Sequence, residues 1–379
     1  MHVRIAKDAS EWNSIVERSP FSVLHHKYEA CVYEDKALPL VIEAKSHQFL
    51  LPLKIVELYK GLRLAFSPVY GYVSLLPESE KALDLVPEVM DFSFRFLRRL
   101  KVNYFFTCAP IFLSRRHAML LDSWFKKRRA SVQVAYLHMI RTGNTTFEEI
   151  IRRRFKKRGR EKIRKAKREG ISFVRIDTVD AIRKWIDDIY RCNISALKRQ
   201  GREGAYPDSN KEVYLSELVM TKMNLREGFN IYGAVFDGRL VAYMAVQAFN
   251  RLMQVTKAMS DTRYLYKCPN DALFAHLIKE GCERGFEWVE YGFDRVKLGG
   301  RIPSLHSSII EFKIKFGFEE VPLFIYRLGL TYSGRMLQHL FSLREYAIAG
   351  TAYVPESIRN FLWRFYGPRR RKFFAFLYT

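Results

Sequence analysis

The sequence predicts an α/β protein in which one mixed-sheet domain occurs twice in tandem. The order of predicted elements is the first reason: strand, two helices, three strands, helix, strand, helix and strand follow one another in each half, as a repeat of about 150 residues. The second is size, because 379 residues with 48% hydrophobic content exceed one typical domain. We therefore expect two domains of one class, each with its own core.

In the first half, a short strand precedes a helix that Asp8 or Ser10 can cap, and a second helix follows in SVLHHKYEACVY. Three strands with turns between them come next, in LPLVIEA, HQFLLPLKIVELY and LRLAFSPVYGYVSLL. ESEKALDLVPEVMDFSFRFLRRL has helical periodicity, and Pro87 indicates a kink or a restart within it. The half ends with a strand, a helix and a strand in VNYFFTCAP, SRRHAMLLDSWFKKR and SVQVAYLHMI.

The second half repeats this order. A strand, ISFVRI, precedes two helices, TVDAIRKWIDDIYRCNISALKRQ and SNKEVYLSELVMTKMNLREG. The three-strand meander NIYGAVFDGRLVAYMAVQAFNRLMQVTKAMS has tight-turn residues at Asp237-Gly238 and at Asn250-Arg251. The remaining elements alternate helix and strand: NDALFAHLIKEGCERG, EWVEYGF, SLHSSIIEFKIKFG and EEVPLFIYRLG.

A strongly basic stretch, RRRFKKRGREKIRKAKREG, lies between the two halves. Its pattern is typical of a helix within a folded domain, because Ile163 and Ala166 share a face, Gly170 can end the helix, and a strand follows directly. We interpret it as an inter-domain helix whose outer face can dock a phosphate-bearing donor or acceptor. The predicted division is residues 1–144 and 171–330 for the two domains, 145–170 for the basic helix, and 331–379 for a basic, aromatic extension.

The charge restricts the partners. A net charge of +24 and a pI near 9.8 favour polyanions such as RNA, phosphorylated small molecules or an anionic membrane surface. No secretory signal is found, and no apolar run has the length of a membrane-spanning helix. The expected location is the cytoplasm, with peripheral attachment to a membrane as the alternative.

The cysteines disfavour both a disulfide framework and a zinc site, because they are odd in number and contain no C-x-x-C pair. This spacing fits a reducing compartment, and no metal is expected. Residues 331–379 mix Arg and Lys with aromatic residues, which suits an anionic membrane interface. Packing onto the domains, or an oligomer contact, is the competing interpretation of this segment.

Three motifs in the predicted order resemble the FemAB-like acyltransferases, which are tandem domains of the GNAT fold. LLPLKIVELYKGLRLAFSPVYGYVSLL is similar to the family's Leu-Pro-Leu strand at Leu51–Leu53, its glycine turn at Gly61 and its Ser-Pro-x-Tyr-Gly segment at Ser67–Gly71. REKIRKAKREGISF resembles the family's R-x-x-I-R-K-A-x-K-x-G segment. The third match covers a tyrosine-glycine strand and an F-K-x-x-F-G helix: Tyr291, Gly292, Phe312, Lys313, Phe316 and Gly317.

The resemblance implies an acyl donor beside the fourth strand of the second domain, with its anion on the backbone N–H groups that open the next helix. The corresponding stretch is YLYKCPNDALFAH, in which Lys267 precedes the helix, Pro269 suits its start, and Asn270 or Asp271 can cap it. Candidate donor contacts are Lys267, Asn270, Lys257 and Tyr291. The family's usual Gly-x-Gly or Gly-x-Ala is missing, which weakens the case for coenzyme A pyrophosphate, and an ordinary capped helix is the alternative.

Lys313 is the leading catalytic candidate. By helical spacing it lies beside an apolar face, where a lysine either extends to solvent or reaches a buried anion. The resemblance favours the second, with Lys313 contacting the acyl donor or steadying charge on the reacting carbonyl. Acyl transfer also needs a neutral amine, and the candidate general bases are Asp294, ranked first, Glu290 and His306.

Arg295, Lys297 and Arg301 flank a glycine pair in the following loop and suit phosphate recognition, with a plain solvated loop as the alternative.

Other enzyme classes lack their motifs, since G-x-x-x-x-G-K-[ST], G-x-S-x-G, H-E-x-x-H and a strand-following G-x-G-x-x-G are all missing. The sequence therefore predicts an N-acyltransferase with no permanently bound cofactor, which moves an acyl group from acyl-CoA, its co-substrate, to an amine-bearing acceptor. Aminoacyl-tRNA is the alternative donor, favoured by the charge, although a long helical hairpin known from such relatives has no room between Ile171 and Asn230. A non-catalytic RNA-binding or membrane-surface protein with this fold is the third hypothesis.

Overall fold

The computed structural model describes residues 1–32, 37–59, 61–67, 75–113, 115–199, 210–294 and 307–340. Within them the chain forms two compact units. Unit 1 contains the residues up to Ala135 and those from Pro322, and unit 2 contains Tyr136–Asp294 and Ile309–Val321. The order of elements repeats between the halves as predicted, and the mixed α/β class is confirmed.

Unit 1 contains a sheet in the order β1-β2-β3-β4-β6-β13, in which only β4 and β6 are parallel. The elements of the first half are β1 (His2–Ile5), α1 (Ala9–Arg18), α2 (Tyr28–Val32), β2 (Ala37–Ala44), β3 (His47–Tyr59), β4 (Leu62–Phe66), β5 (Leu76–Pro77), α3 (Val86–Arg99), β6 (Val102–Cys108), α4 (Arg115–Lys127) and β7 (Ser131–Arg141). β5 pairs with β3, and Pro87 lies at the start of α3, which makes it a restart.

Unit 2 contains a sheet in the order β8-β9-β10-β11-β12-β7, in which only β11 and β12 are parallel. The elements are α5 (Phe147–Arg153), α6 (Lys157–Arg168), β8 (Ser172–Ile176), α7 (Val179–Arg199), α8 (Lys211–Leu225), β9 (Phe229–Phe236), β10 (Arg239–Phe249), β11 (Leu252–Ser260), α9 (Pro269–Glu283), β12 (Trp288–Asp294), α10 (Ser307–Lys315) and β13 (Glu319–Gly329). β7 runs from unit 1 into unit 2, and β13 runs from unit 2 into unit 1.

The predicted hairpin turns are confirmed. Phe236 pairs with Arg239 across a two-residue turn in which Asp237 and Gly238 both have positive φ, at 51° and 68°. This pair of left-handed residues is the geometry that suits the twist of a tight hairpin. The second turn, Asn250-Arg251, also spans two residues, since Phe249 pairs with Leu252, and Asn250 has φ 47°.

The basic stretch forms two helices, α5 and α6, where we predicted one. Phe155, between them, is buried against Phe316, and the N–H of Lys156 donates to the carbonyl of Lys315. These contacts explain the break, because they take the backbone of 154–156 out of the helical path. The apolar face is as predicted, with Ala166 fully buried and Gly170 ending α6 at φ 79°.

Each unit has its own core. In unit 1, one face of the sheet packs against α3 and α4, with Phe105 edge-on to Phe94. In unit 2, α9 covers one face of the sheet through Leu273 and Phe274, and α7 and α8 cover the other. Among the described residues, no helix has both the length and the apolar character needed to cross a membrane.

Candidate active site

The strands β11 and β12 of unit 2 part after a short run of pairing. Their parallel register holds at three positions, the last of which joins Gln254 to Glu290. Just beyond it, β11 has a bulge, because Val255 and Lys257 face consecutive residues of β10 and leave Thr256 extra. The register of β12 against β7 also shifts, between Glu290 and Phe293. The two irregularities lie at the same level, and we call the gap that follows the last pair of this ladder the cleft.

Three polar side chains lie side by side at the level where the cleft begins. Gln247 of β10, Gln254 of β11 and Glu290 of β12 are register partners in a row across the sheet, so their side chains share one face. They are only 8%, 9% and 0% exposed. The Oε1 atom of Gln247 is buried and has no hydrogen-bond partner within the described part of the chain. A buried carbonyl oxygen without a hydrogen bond lowers the stability of the fold, which indicates that a donor group of a bound ligand pairs with it.

The sequence had indicated only one member of this row. Glu290 was a candidate base, whereas the two glutamines were not singled out. The available signal was weak: a single glutamine in each of two otherwise largely apolar strands, VAYMAVQAF and LMQVTKAMS. Only their register, which brings positions 247, 254 and 290 side by side, gives those glutamines a common meaning.

Lys313 lies on the other face of β12. It is 3% exposed, and its Nζ atom is 5.3 Å from the centre of the Tyr291 ring. Extension to solvent, the alternative from sequence, is therefore wrong. Tyr291 itself packs edge-on against Phe274, and burial raises the pKa of its hydroxyl to about 12, so it stays neutral at physiological pH.

The N-terminus of α9 is held next to the end of β11. The side-chain amide of Asn270 donates to Ser260 Oγ at 3.0 Å, and Pro269 begins the helix as expected. The predicted cap is wrong: the N-cap residue is Cys268, in the left-handed conformation at φ 59°, with no side-chain capping bond. Asp271 instead accepts from Lys315 of α10. The first-turn amides, which lack intrahelical partners, thus lie beside the strand that borders the cleft.

Lys267 is engaged in an ion pair. Its Nζ atom donates to Glu169 Oε2 at 2.8 Å and lies 4.1 Å from the centre of the Phe236 ring. The hydrogen bond to Glu169 raises the pKa of Lys267 and lowers that of the carboxylate. An anion at this lysine would have to compete with Glu169.

Lys257, which was also predicted to contact the acyl donor, lies on the face of the sheet that α7 and α8 cover. Lys257 is on β11, and its Nζ atom is 4.4 Å from the ring centre of Tyr214 in α8. Tyr214 in turn shares a 2.5 Å hydrogen bond with the hydroxyl of Tyr243. Since α9 covers the opposite face of this sheet, the structure does not bring Lys257 to the N-terminus of α9.

The remaining predicted residues stay predictions. The backbone of Asp294 ends β12 opposite Tyr136 of β7. His306 and the three loop residues Arg295, Lys297 and Arg301 lie outside the described residues.

Comparisons with known proteins identify a domain family for this part of the chain. Residues 153–295 match the model of the acetyltransferase (GNAT) domain family, and the match includes β11, α9 and β12. Among curated proteins, none matches the chain.

Several solved structures share the fold. FemX is 12% identical, with a TM-score of 0.67, and covers 91% of this chain and 100% of its own. The C-terminal domain (DUF2156) of a putative lysylphosphatidylglycerol synthetase from Agrobacterium fabrum is 13% identical, with a TM-score of 0.55, over 90% of this chain and 96% of its own. L-PGS from Bacillus licheniformis is 12% identical, with a TM-score of 0.56, over 90% and 99%. Residues 153–295 thus match the GNAT acetyltransferase domain family, and the fold of the chain is that of FemX.

Proposed function

We propose that this chain moves an acyl group from acyl-CoA to an amine, in the cleft between β11 and β12. The observation that carries the proposal is the pair of buried ionisable side chains beside β12, Glu290 on one face and Lys313 on the other, at the level where the strands part. Buried ionisable groups at a cleft are typical of catalytic sites, because burying them without a function costs stability.

The reaction needs a neutral amine and a stabilised oxyanion. The amine nitrogen attacks the thioester carbon, and its surplus proton passes to the Glu290 carboxylate. The Lys313 ammonium stabilises the negative charge that develops on the carbonyl oxygen. The C–N bond forms and the C–S bond breaks, and coenzyme A leaves as a thiolate that takes up a proton. The buried Oε1 of Gln247 accepts a hydrogen bond from an N–H of the acceptor and orients its lone pair.

The phosphates of the acyl donor bind at the first turn of α9, because the free backbone amides there favour anions. Lys267 joins them only when a phosphate oxygen replaces Glu169, the present partner of its Nζ atom. Asp271 in the same turn keeps its charge balanced through Lys315.

A thermal-shift series tests the donor. Acetyl-CoA is expected to raise the melting temperature, since a ligand that binds only the folded state stabilises it, and Lys313→Met should abolish the rise. The matched control is Lys279→Met, because Lys279 is a helical lysine half exposed to solvent, paired with Glu283. If no acyl-CoA shifts the wild-type transition, the acyl-CoA donor is wrong.

Aminoacyl-tRNA is the second candidate donor, and the basic surface of α5 and α6 favours it. The exposed basic residues there are Arg152, Arg153, Arg154, Lys156, Lys157, Arg158, Arg164, Lys167 and Arg168. Binding of tRNA that weakens steeply with salt, with no response to acetyl-CoA, would select this donor. Arg158→Gln with Arg164→Gln should then reduce the salt dependence. Arg154 is a poor choice for such a test, because it pairs with Glu319.

A further inference from the structure

An apolar stripe projects from the last described helix of unit 1, residues 332–340. Tyr332, Met336 and Leu340 are spaced four residues apart, so they share one face. They are 82%, 54% and 59% exposed. A single exposed apolar residue is ordinary, whereas three in a row on one helix indicate a contact surface.

The opposite face fixes the orientation of this helix. Gln338 is buried, its Oε1 accepts from the N–H of Gly329 at 2.8 Å, and its Nε2 donates to the carbonyl of Arg129 at 2.8 Å. A Cβ at Gly334 would lie 1.7 Å from the carbonyl oxygen of Asn103, so the helix is seated as closely as a glycine allows. Turning the stripe inward would break these contacts. Its exposure is therefore built into the unit.

The two chain segments that contact this helix, after α3 and after α4, are rich in Lys and Arg. Asn103 follows the end of α3, and its side-chain amide donates to Thr331 and Ser333. Arg129 follows the end of α4 and bonds Gln338. The exposed cations of these two segments and of the helix, which we call the basic rim, are Arg98, Arg99, Lys101, Lys126, Lys127, Arg129 and Arg335.

The sequence that follows the stripe has the same character. Residues 341–379 lie outside the described residues, but their composition is known: seven Lys or Arg against two Glu, together with eleven aromatic residues. The basic rim and this segment therefore favour the same kind of partner, an extended anionic surface with an apolar interior.

We propose that this face of unit 1, the stripe with its basic rim, docks on an anionic phospholipid bilayer. Tyr332, Met336 and Leu340 enter the interfacial region, while the rim contacts lipid phosphates. Either contribution alone is weak, and stable attachment takes both an apolar and an electrostatic part. RNA would use the rim but has no apolar interior for Met336 and Leu340. This inference does not depend on the acyl donor or acceptor proposed above.

Sedimentation of the full chain with vesicles tests the proposal. The wild type should sediment with phosphatidylcholine vesicles that contain phosphatidylglycerol, and much less with phosphatidylcholine alone. The triple change Tyr332→Ser, Met336→Gln, Leu340→Gln should weaken the partition roughly tenfold or more, because it removes the apolar part. The matched control is Met220→Gln with Met223→Gln in α8, whose side chains are 42% and 60% exposed, and it should bind as the wild type does.

Three results would overturn the proposal: equal sedimentation with both kinds of vesicle, wild-type binding by the triple variant, or weakened tRNA binding by that variant to the same degree as vesicle binding. A fall in its melting temperature with vesicle binding unchanged would show that the chain itself covers the stripe. Acyl transfer to a soluble amine should be the same in the variant and the wild type, which separates this inference from the proposed reaction.

Discussion

The two units share an order of elements but differ at one pair of strands. In unit 1, the parallel strands β4 and β6 stay paired through Phe66 and Phe106, and the N–H of Ser67 extends the ladder to the Phe106 carbonyl at 3.1 Å. In unit 2, the equivalent strands part after Gln254 and Glu290. The topology alone therefore does not part these strands. In unit 2 their pairing ends at the level of the irregular positions in β11 and β12.

The side chains at the paired positions of these strands also differ between the two units. Unit 1 pairs Leu64 with Tyr104 early in its parallel ladder, whereas unit 2 pairs Gln254 with Glu290 at the last paired position. An apolar pair stabilises a closed ladder through burial, whereas a buried carboxylate needs a compensating role. We infer that unit 2 is the catalytic unit and that unit 1 keeps the fold without the chemistry.

The largest expected effect is on Glu290. Glu290→Gln keeps the size of the side chain but removes the base, so we expect acyl transfer to fall roughly hundredfold with little change in melting temperature. The matched control in unit 1 is Thr107→Val, a buried polar residue on β6 whose hydroxyl lies 3.4 Å from Ser67 Oγ. Steady-state rates of both variants would measure the contrast. If Thr107→Val loses the activity and Glu290→Gln keeps it, the assignment of the catalytic unit is reversed.

A smaller effect is expected at the bulge of β12. Gly292 has φ 64°, so Gly292→Ala is strained by about 1 to 2 kcal/mol and shifts the strand that carries Glu290. We expect the rate to fall several-fold. Gly238→Ala at the β9–β10 turn, where φ is 68° and a Cβ meets nothing within 4 Å, has the same backbone strain away from the cleft. Equal loss of melting temperature with unequal loss of rate supports a role for the bulge; equal rates would exclude it.

The smallest effect is on the pH dependence of stability, at His276 of α9. Burial lowers the pKa of this imidazole below its ordinary 6.5. The unfolded chain then takes up the proton first as the pH falls. The stabilisation is complete above pH 6.5 and is lost as the pH falls through 6.5 towards the folded-state pKa. Urea midpoints of wild type and His276→Gln, measured on either side of pH 6.5, should converge at the acidic end. A constant difference between them would contradict this.

Much of the fold could be predicted from the sequence because its signals are local. Alternating apolar residues define strands, and Asp237-Gly238 and Gly170 end elements through their backbone freedom. Lys313 could be singled out because a lysine beside an apolar helical face is conspicuous. The break between α5 and α6 could not be predicted in this way, since it depends on Phe155 packing against Phe316, which is distant in sequence.

The site was harder still, because its partners are remote in sequence. Lys267 reads as a free cation in its own segment, but Glu169, 98 residues away, pairs with it. Gln247 and Gln254 are unremarkable until the register of β10, β11 and β12 aligns them with Glu290.

The sequence by itself determined the α/β class, the tandem order of elements, the tight turns and the basic character of this protein. Tertiary structure alone decided which pair of parallel strands parts, which polar residues meet there, and which apolar stripe stays exposed. The physical reason is that periodicity and turn chemistry act over a few residues, whereas register, burial and charge pairing depend on neighbours that only folding brings together.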